Sequence, residues 1–246
     1  LAAKQCGINI SVLAALIQAG TMDHAGKNRT RMVLEAQTFN LLTDREKRNF
    51  CKLGDRFGYD ILAAISEARG SKILGDDNKP IMSDSRFETF SKKFDGYRKI
   101  YNNNRKHEKF ATWRYETQLL GYSYSHNLRD CLKDRWDNLS DIKRLDDFYD
   151  KERFSIAGEV KDFFSRTSQN GNRYMIISLA DNTATKNFLF MDTRNEDSLS
   201  QFLINNKLKK GQVVKADGSK SRDTFFVNNL SIVEGADIYM KLREVK

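Results

Sequence analysis

Phe154-Ser-Ile-Ala-Gly158-Glu-Val-Lys-Asp-Phe163-Phe164-Ser-Arg166, then Gln169-Asn170-Gly171-Asn172, then Arg173-Tyr174-Met-Ile-Ile-Ser-Leu179, Asp181-Asn182 and Thr185-Lys186-Asn-Phe188-Leu-Phe190, is the stretch that decides how this chain folds. Apolar, β-branched and aromatic runs of strand length are separated by Asn, Asp and Gly. Asn-Gly between two such runs signals a hairpin, because both residues accept the positive φ that a tight turn requires. Three consecutive antiparallel strands are expected. Two further strands follow at Gln212 to Ala216 and Thr224 to Ile232, with an amphipathic helix over Glu196 to Leu208 between the third and fourth strands. Five short strands with a helix after the third match a Greek-key barrel of the OB type, although periodicity alone also permits a sandwich.

Outside this stretch the pattern is helical, so the expected fold class is α+β: a helical amino-terminal region followed by a five-stranded barrel. Ile10, Leu13, Leu16 and Ile17 share one helical face that ends at Ala19-Gly20. After a loop from Asp23 to Asn28, a second helix begins near Arg29, with Met32, Val33, Ala36 and Phe39 facing inward. Lys27, Asn28, Arg29 and Arg31 lie around its amino end, where exposed backbone N–H groups and cations suit a phosphate oxygen. The bland alternative is a helical hairpin with a solvated basic edge.

Residues 41 to 68 continue helical, and Gly70 to Pro80 reads as a loop. Asp76-Asp77 is read as a solvated turn, since no third ligand or glycine-rich phosphate loop accompanies it. Phe87, Phe90, Phe94, Tyr97 and Tyr101 recur at alternating spacings of three and four, which predicts one packing stripe on a helix. Lys92, Lys93, Arg98, Lys99, Arg105, Lys106 and Lys109 flank the stripe and make this the most basic part of the chain. The expected divisions are 1–69 for the hairpin region, 70–110 for the linker and striped helix, 111–150 for connecting helices, and 151–246 for the barrel.

Composition narrows the function. The 246 residues carry a formal charge of +9 and a pI near 9.4, which favours a polyanionic partner through counterion release. The sequence shows neither a membrane-length apolar run nor a signal-peptide pattern, so a soluble, cytoplasmic protein is expected. Cys6, Cys51 and Cys131 lie far apart, as do His24, His107 and His126, and no metal is assigned. The chain begins at Leu1 inside a helical pattern and reads as a fragment or a processed piece.

One segment carries a family resemblance. Glu116-Thr-Gln-Leu119-Leu120-Gly121-Tyr122, followed by a Ser-containing turn, resembles the segment preceding the OB domain in the alpha subunit of bacterial DNA polymerase III. Leu16-Ile17-Gln18-Ala19-Gly20-Thr21-Met22-Asp23 resembles an element of that family's helix-hairpin-helix region, and Arg29 matches the arginine that opens its next helix. Ala157-Gly158-Glu-Val, Asn170-Gly171-Asn172, Leu179-Ala-Asp181 and Phe188-Leu-Phe190 follow in the same order, so the likeness runs from about Ile8 to Ile232. The chain departs from the pattern at Ser125-His126-Asn127, which lacks the family's Gly and Pro, and over an expanded 70 to 110. Such divergence suits a phage or plasmid-borne relative. Gln37 to Leu42 and Arg86 to Phe90 are poor matches to the family's clamp-binding motif, so clamp binding is not implied.

The resemblance implies the DNA-binding region of a replicative DNA polymerase. Catalysis and Mg²⁺ would belong to a palm domain upstream that this chain lacks, leaving it inert by itself and without a cofactor. Its partners would be primer-template duplex and single-stranded template, with other replisome subunits admitted. The residues agree with that role. OB barrels bind strands across the second and third strands and through the loops joining strands one to two and four to five. Those places carry Phe163, Phe164 and Arg166, then Arg173 and Tyr174, then Lys186 with Phe188, and finally Lys220 and Arg222. The expectation is that Phe188 and Lys186 grip a strand and that removing both leaves stability unchanged. The alternative is that Phe188 and Phe190 face the barrel core. Two rival functions stand beside the polymerase reading: a stand-alone single-strand nucleic-acid-binding module, and a protein-docking platform for replisome partners.

Overall fold

The computed structural model describes residues 7–70, 73–75, 77–193 and 196–234, apart from the side chains of residues 70, 103 and 104. The described chain divides after Gly121 into a helical unit and a barrel unit.

The helical unit contains α1 (Ile10–Gln18), α2 (Arg29–Asn40), α3 (Asp44–Lys52), α4 (Ile61–Gly70), α5 (Asp84–Asn104) and α6 (Glu108–Leu120), with short 3₁₀ turns at Asp23–Ala25, Asp55–Phe57 and Arg105–His107. Side chains set where the helices start. The Val12 N–H donates to the Asn9 side chain at 2.9 Å, Thr43 and Glu46 form a capping box at α3, and Ser83 accepts from the Arg86 N–H at α5. Gly121 ends α6 in the left-handed region, where its N–H donates to Thr117 O. The aromatic stripe of α5 packs as expected: Phe90, Phe94 and Tyr97 are buried, and Phe87 and Tyr101 are half-buried against neighbouring clusters. In the loop before α5, Asp76 lies outside the described residues, and Asp77 accepts a bidentate pair from Arg45 Nη2 and Nε at 2.7 and 3.1 Å.

The barrel unit is built from β1 (Arg153–Thr167), β2 (Arg173–Ala180), β3 (Thr185–Met191), β4 (Val213–Ser221) and β5 (Thr224–Ile232), with α7 (Leu128–Leu132) and a 3₁₀ turn (Ile142–Asp147) before them and α8 (Ser198–Asn205) between β3 and β4. The strands close in the order β1-β2-β3-β5-β4. β3 and β5 run parallel and every other pair is antiparallel. The sandwich alternative is thereby excluded. The strand order and the helix between β3 and β4 are those of an OB barrel.

Closure depends on β1, which is long enough to pair with β4 through Arg153–Glu159 and with β2 through Glu159–Thr167. It bends where the register shifts between Val160 and Asp162 and beside Gly158, where a Cβ would stand 3.0 Å from that of Leu179. Inward side chains fill the interior, among them Phe154, Ile156, Met175, Ile177, Leu179, Phe188 and Phe190, and α8 adds Leu199 and Phe202. Residues 122–150 also belong to this unit. Asp181 accepts from the Ile142 N–H at 2.8 Å, and the Asn182 amide accepts from Leu128 N at 3.0 Å and donates to Ser123 O at 3.3 Å. The Asp-Asn corner between β2 and β3 therefore holds the preceding segment onto the barrel.

Gly218 sits at the β4 bulge, where a Cβ would fall 1.9 Å from the Phe226 carbonyl oxygen. Backbone cannot yield as a flexible side chain does. Gly218→Ala is expected to cost about 2 kcal/mol, by the same overpacking that penalises excess volume in a core, and urea denaturation would measure it.

Candidate nucleic-acid interface

Register fixes the face that β1, β2 and β3 present outward. Because residues directly opposite one another lie on the same side of a sheet, Phe164 aligns with Ile176, Ile176 with Leu189, and Leu189 with Phe226. These four make an apolar row across the outside of β1, β2, β3 and β5. Phe164 is 47% exposed, and the Arg166 guanidinium lies 5.6 Å from its ring centroid. One step along, Arg166 pairs with Tyr174, and Tyr174 with Met191. Arg173 is exposed beside them at the start of β2. The hairpin tip turns at Gly171, with φ at +82°, and the Gly171 N–H donates to Ser168 O at 2.9 Å.

Phe188 does not belong to this face, contrary to the expectation that it grips a strand. Its ring is 1% exposed and packs 5.7 Å from both Phe154 and Phe225. Alternation along β3 puts Phe188 and Phe190 inside, so Leu189 takes the outer place; a reading displaced by one residue exchanges the two faces of a strand. Phe163 is likewise half-buried against the core, and its neighbour Phe164 is the exposed ring. Lys186 follows the inward parity at the barrel's end, bonded to Asp146 and 5.8 Å from the Phe225 ring. Lys220 lies 5.7 Å from the same ring and donates to Phe148 O at 2.8 Å.

A second cluster forms around the turn between β4 and β5. Arg222 is exposed with φ at +53°, and its N–H donates to Asp150 at 2.8 Å. The adjacent Tyr149 is 82% exposed. Sequence reading missed this ring, although an aromatic pair, Phe148-Tyr149, in the polar run before β1 was a usable signal. It also missed Ile176, Leu189 and Phe226, which only pairing register brings together.

The amino end of α2 departs further from expectation. Arg29 is 5% exposed and committed internally: it bonds Asp23 at 2.9 and 2.6 Å, Gln18 O at 3.1 Å and Glu116 at 2.5 Å. Burial by itself would depress its pKa, but the bonds and charges of Asp23 and Glu116 outweigh burial and hold it well above the ordinary arginine value. Such a residue has no surface to offer a phosphate. Lys27 pairs with Glu35 at 3.0 Å, and Arg31 pairs with Glu35 at 2.9 Å and Asp60 at 3.0 Å.

The helix start itself is taken by Glu108. Its carboxylate accepts from the Asn28 amide at 2.5 Å and from the Thr30 hydroxyl and backbone. Burial pushes the Glu108 pKa up, partly offset by those bonds. An internal carboxylate thus occupies the anion place that the helix dipole creates.

Among the described residues no group of three or more His, Cys, Asp or Glu could hold a metal, and no helix is long and apolar enough to cross a membrane.

The fold and this face define an OB barrel with a ring-bearing outer wall. Comparison with solved structures finds similar barrels at low identity. The mitochondrial single-stranded DNA binding protein Rim1 of S. cerevisiae matches at 20% identity and a TM-score of 0.29, covering 35% of this chain and 99% of that one. A domain of replication protein A from Methanococcus maripaludis matches at 16% and 0.30, covering 37% and 94%. A chain of the S. pombe Stn1-Ten1 complex matches at 17% and 0.28, covering 44% and 87%. No protein-family model matches the chain, and no curated protein matches it. The barrel's assignment rests on its own strand order.

Proposed function

We propose that the barrel unit binds single-stranded nucleic acid across the outer face of β1, β2 and β3. The observation that carries this reading is the exposed Phe164 ring with Arg166 over it, in register with Ile176 and Leu189 and beside Tyr174. Rings offer stacking surface to any base, at about 1 to 3 kcal/mol each, while Arg166 on the same face, and Arg173 at the exposed end of β2, meet phosphates. This reading does not require Phe188.

The test is fluorescence anisotropy with a labelled single strand. Phe164→Ala is expected to weaken binding roughly tenfold with the melting temperature unchanged, since the ring contributes little to the core. Affinity should also fall with salt at a log–log slope of roughly −0.7 per phosphate neutralised. Wild-type affinity in the Phe164→Ala variant would remove the reading, and a protein-docking face would show no such dependence on a single strand.

A finer reading is that this chain is the DNA-binding region of a DNA polymerase III alpha-type subunit, holding primer-template duplex and single-stranded template. It is favoured by the convergence of Asp23, Arg29 and Glu116, three residues that carry the resemblance, on one ion-pair network centred on the buried Arg29. In that reading phosphoryl transfer and its Mg²⁺ belong to a palm outside this chain. The coding sequence upstream of Leu1 is the test: a palm with paired aspartates supports it, and an unrelated upstream sequence overturns it.

A further inference from the structure

In the helical unit, a cleft of about 340 Å³ between α2, α4 and α5 is lined by Arg31, Arg98 and Arg105 together with Asp60, Tyr101 and Asn102. The arginines come from α2, α5 and the 3₁₀ turn that follows α5, and line one space. Arg31 is already oriented by Glu35 and Asp60. Arg98 and Arg105 are exposed, and neither guanidinium makes a hydrogen bond or an ion pair with the described residues. Arg31 is balanced by Asp60 and Glu35, which leaves the Arg98 and Arg105 guanidiniums as the two cations the cleft offers to an anion. Burial foremost, and the nearby Glu108 carboxylate next, raise the pKa of the Tyr101 phenol against the opposing charges of Arg31 and Arg105. Such an arrangement selects a compact, doubly charged anion. Guanidinium forks match the oxygens of a phosphate, and a terminal phosphate carries close to two negative charges near neutral pH. A phosphodiester carries only one, so it matches the two cations less well.

We propose that this cleft is a binding site for a phosphate monoester, the group shared by a free nucleotide and the 5′-phosphorylated end of a nucleic-acid strand. It is separate from the barrel face and stands whether or not that face binds single strands.

The experiment follows the arginine Nε–Hε signals of the whole chain by NMR during titration with adenosine monophosphate and with matched oligonucleotides bearing either a 5′-phosphate or a 5′-hydroxyl. Saturable shifts of Arg98 and Arg105 are expected with the monoesters and not with the 5′-hydroxyl strand. The tighter of the two monoester arms identifies the source. The double variant Arg98→Ala/Arg105→Ala, with both changes on exposed positions, should bind the monoester at least about tenfold more weakly after losing two charged hydrogen bonds, with native circular dichroism. Three results overturn the proposal: no saturable shift at millimolar monoester, an equal response to the 5′-hydroxyl strand, or undiminished affinity in a folded double variant. A Phe164→Ala control should leave these shifts in place, so failure here and failure of the barrel reading are distinguishable.

Discussion

Phe188→Ala is expected to lower the barrel unit's unfolding free energy by about 3 to 5 kcal/mol, the range for deleting a buried aromatic side chain. The ring is 1% exposed and touches Phe154 and Phe225. It packs across the barrel interior onto rings from the starts of β1 and β5, so the strands cannot collapse into the void without disturbing their ladders. Lys186→Ala, which removes only an ion pair to the largely exposed Asp146 and a cation near a ring, should cost less than about 1 kcal/mol. Urea denaturation of the two single variants separates these contributions. A Phe188→Ala variant as stable as wild type would show that the ring is not in the core.

The second large effect is expected at the Arg29–Glu116 pair. Glu116 is fully buried and Arg29 nearly so, while Asp23, the other partner, is 48% exposed. Glu116→Ala leaves a guanidinium out of water with one of its two carboxylates gone. Breaking such a pair from one side costs about 3 to 5 kcal/mol, and the helical circular dichroism signal in a urea titration would show it. Replacing both members together, as Arg29→Met with Glu116→Leu, removes the buried charge and its partner at once and should recover most of that loss. If the double variant is no better than Glu116→Ala, the penalty comes from packing rather than from a stranded charge.

These two sites show how much could be read before the fold was known. The hairpin at Asn170-Gly171, the five strands and the helix after the third were legible because turn chemistry and strand-length apolar runs are local properties. The stripe from Phe87 to Tyr101 was legible for the same reason, since a helix's packing face is set by spacing alone. Phe188 was harder: a short run of alternating polar and apolar residues fixes two faces without saying which is inside. Arg29 was harder still, because its carboxylate partners lie 6 and 87 residues away. An arginine at a helix start looks the same in sequence whether it meets a phosphate or a glutamate.

The sequence by itself determined that this chain would be a helical region followed by an OB barrel with a basic, aromatic-rich character, because hydrophobic periodicity and turn residues act over a few positions. Only the tertiary structure decided which rings face solvent, which cations are already neutralised, and that Glu108 fills the place at α2. Burial and pairing are set by residues brought together from far apart in the chain, and no local spacing encodes them.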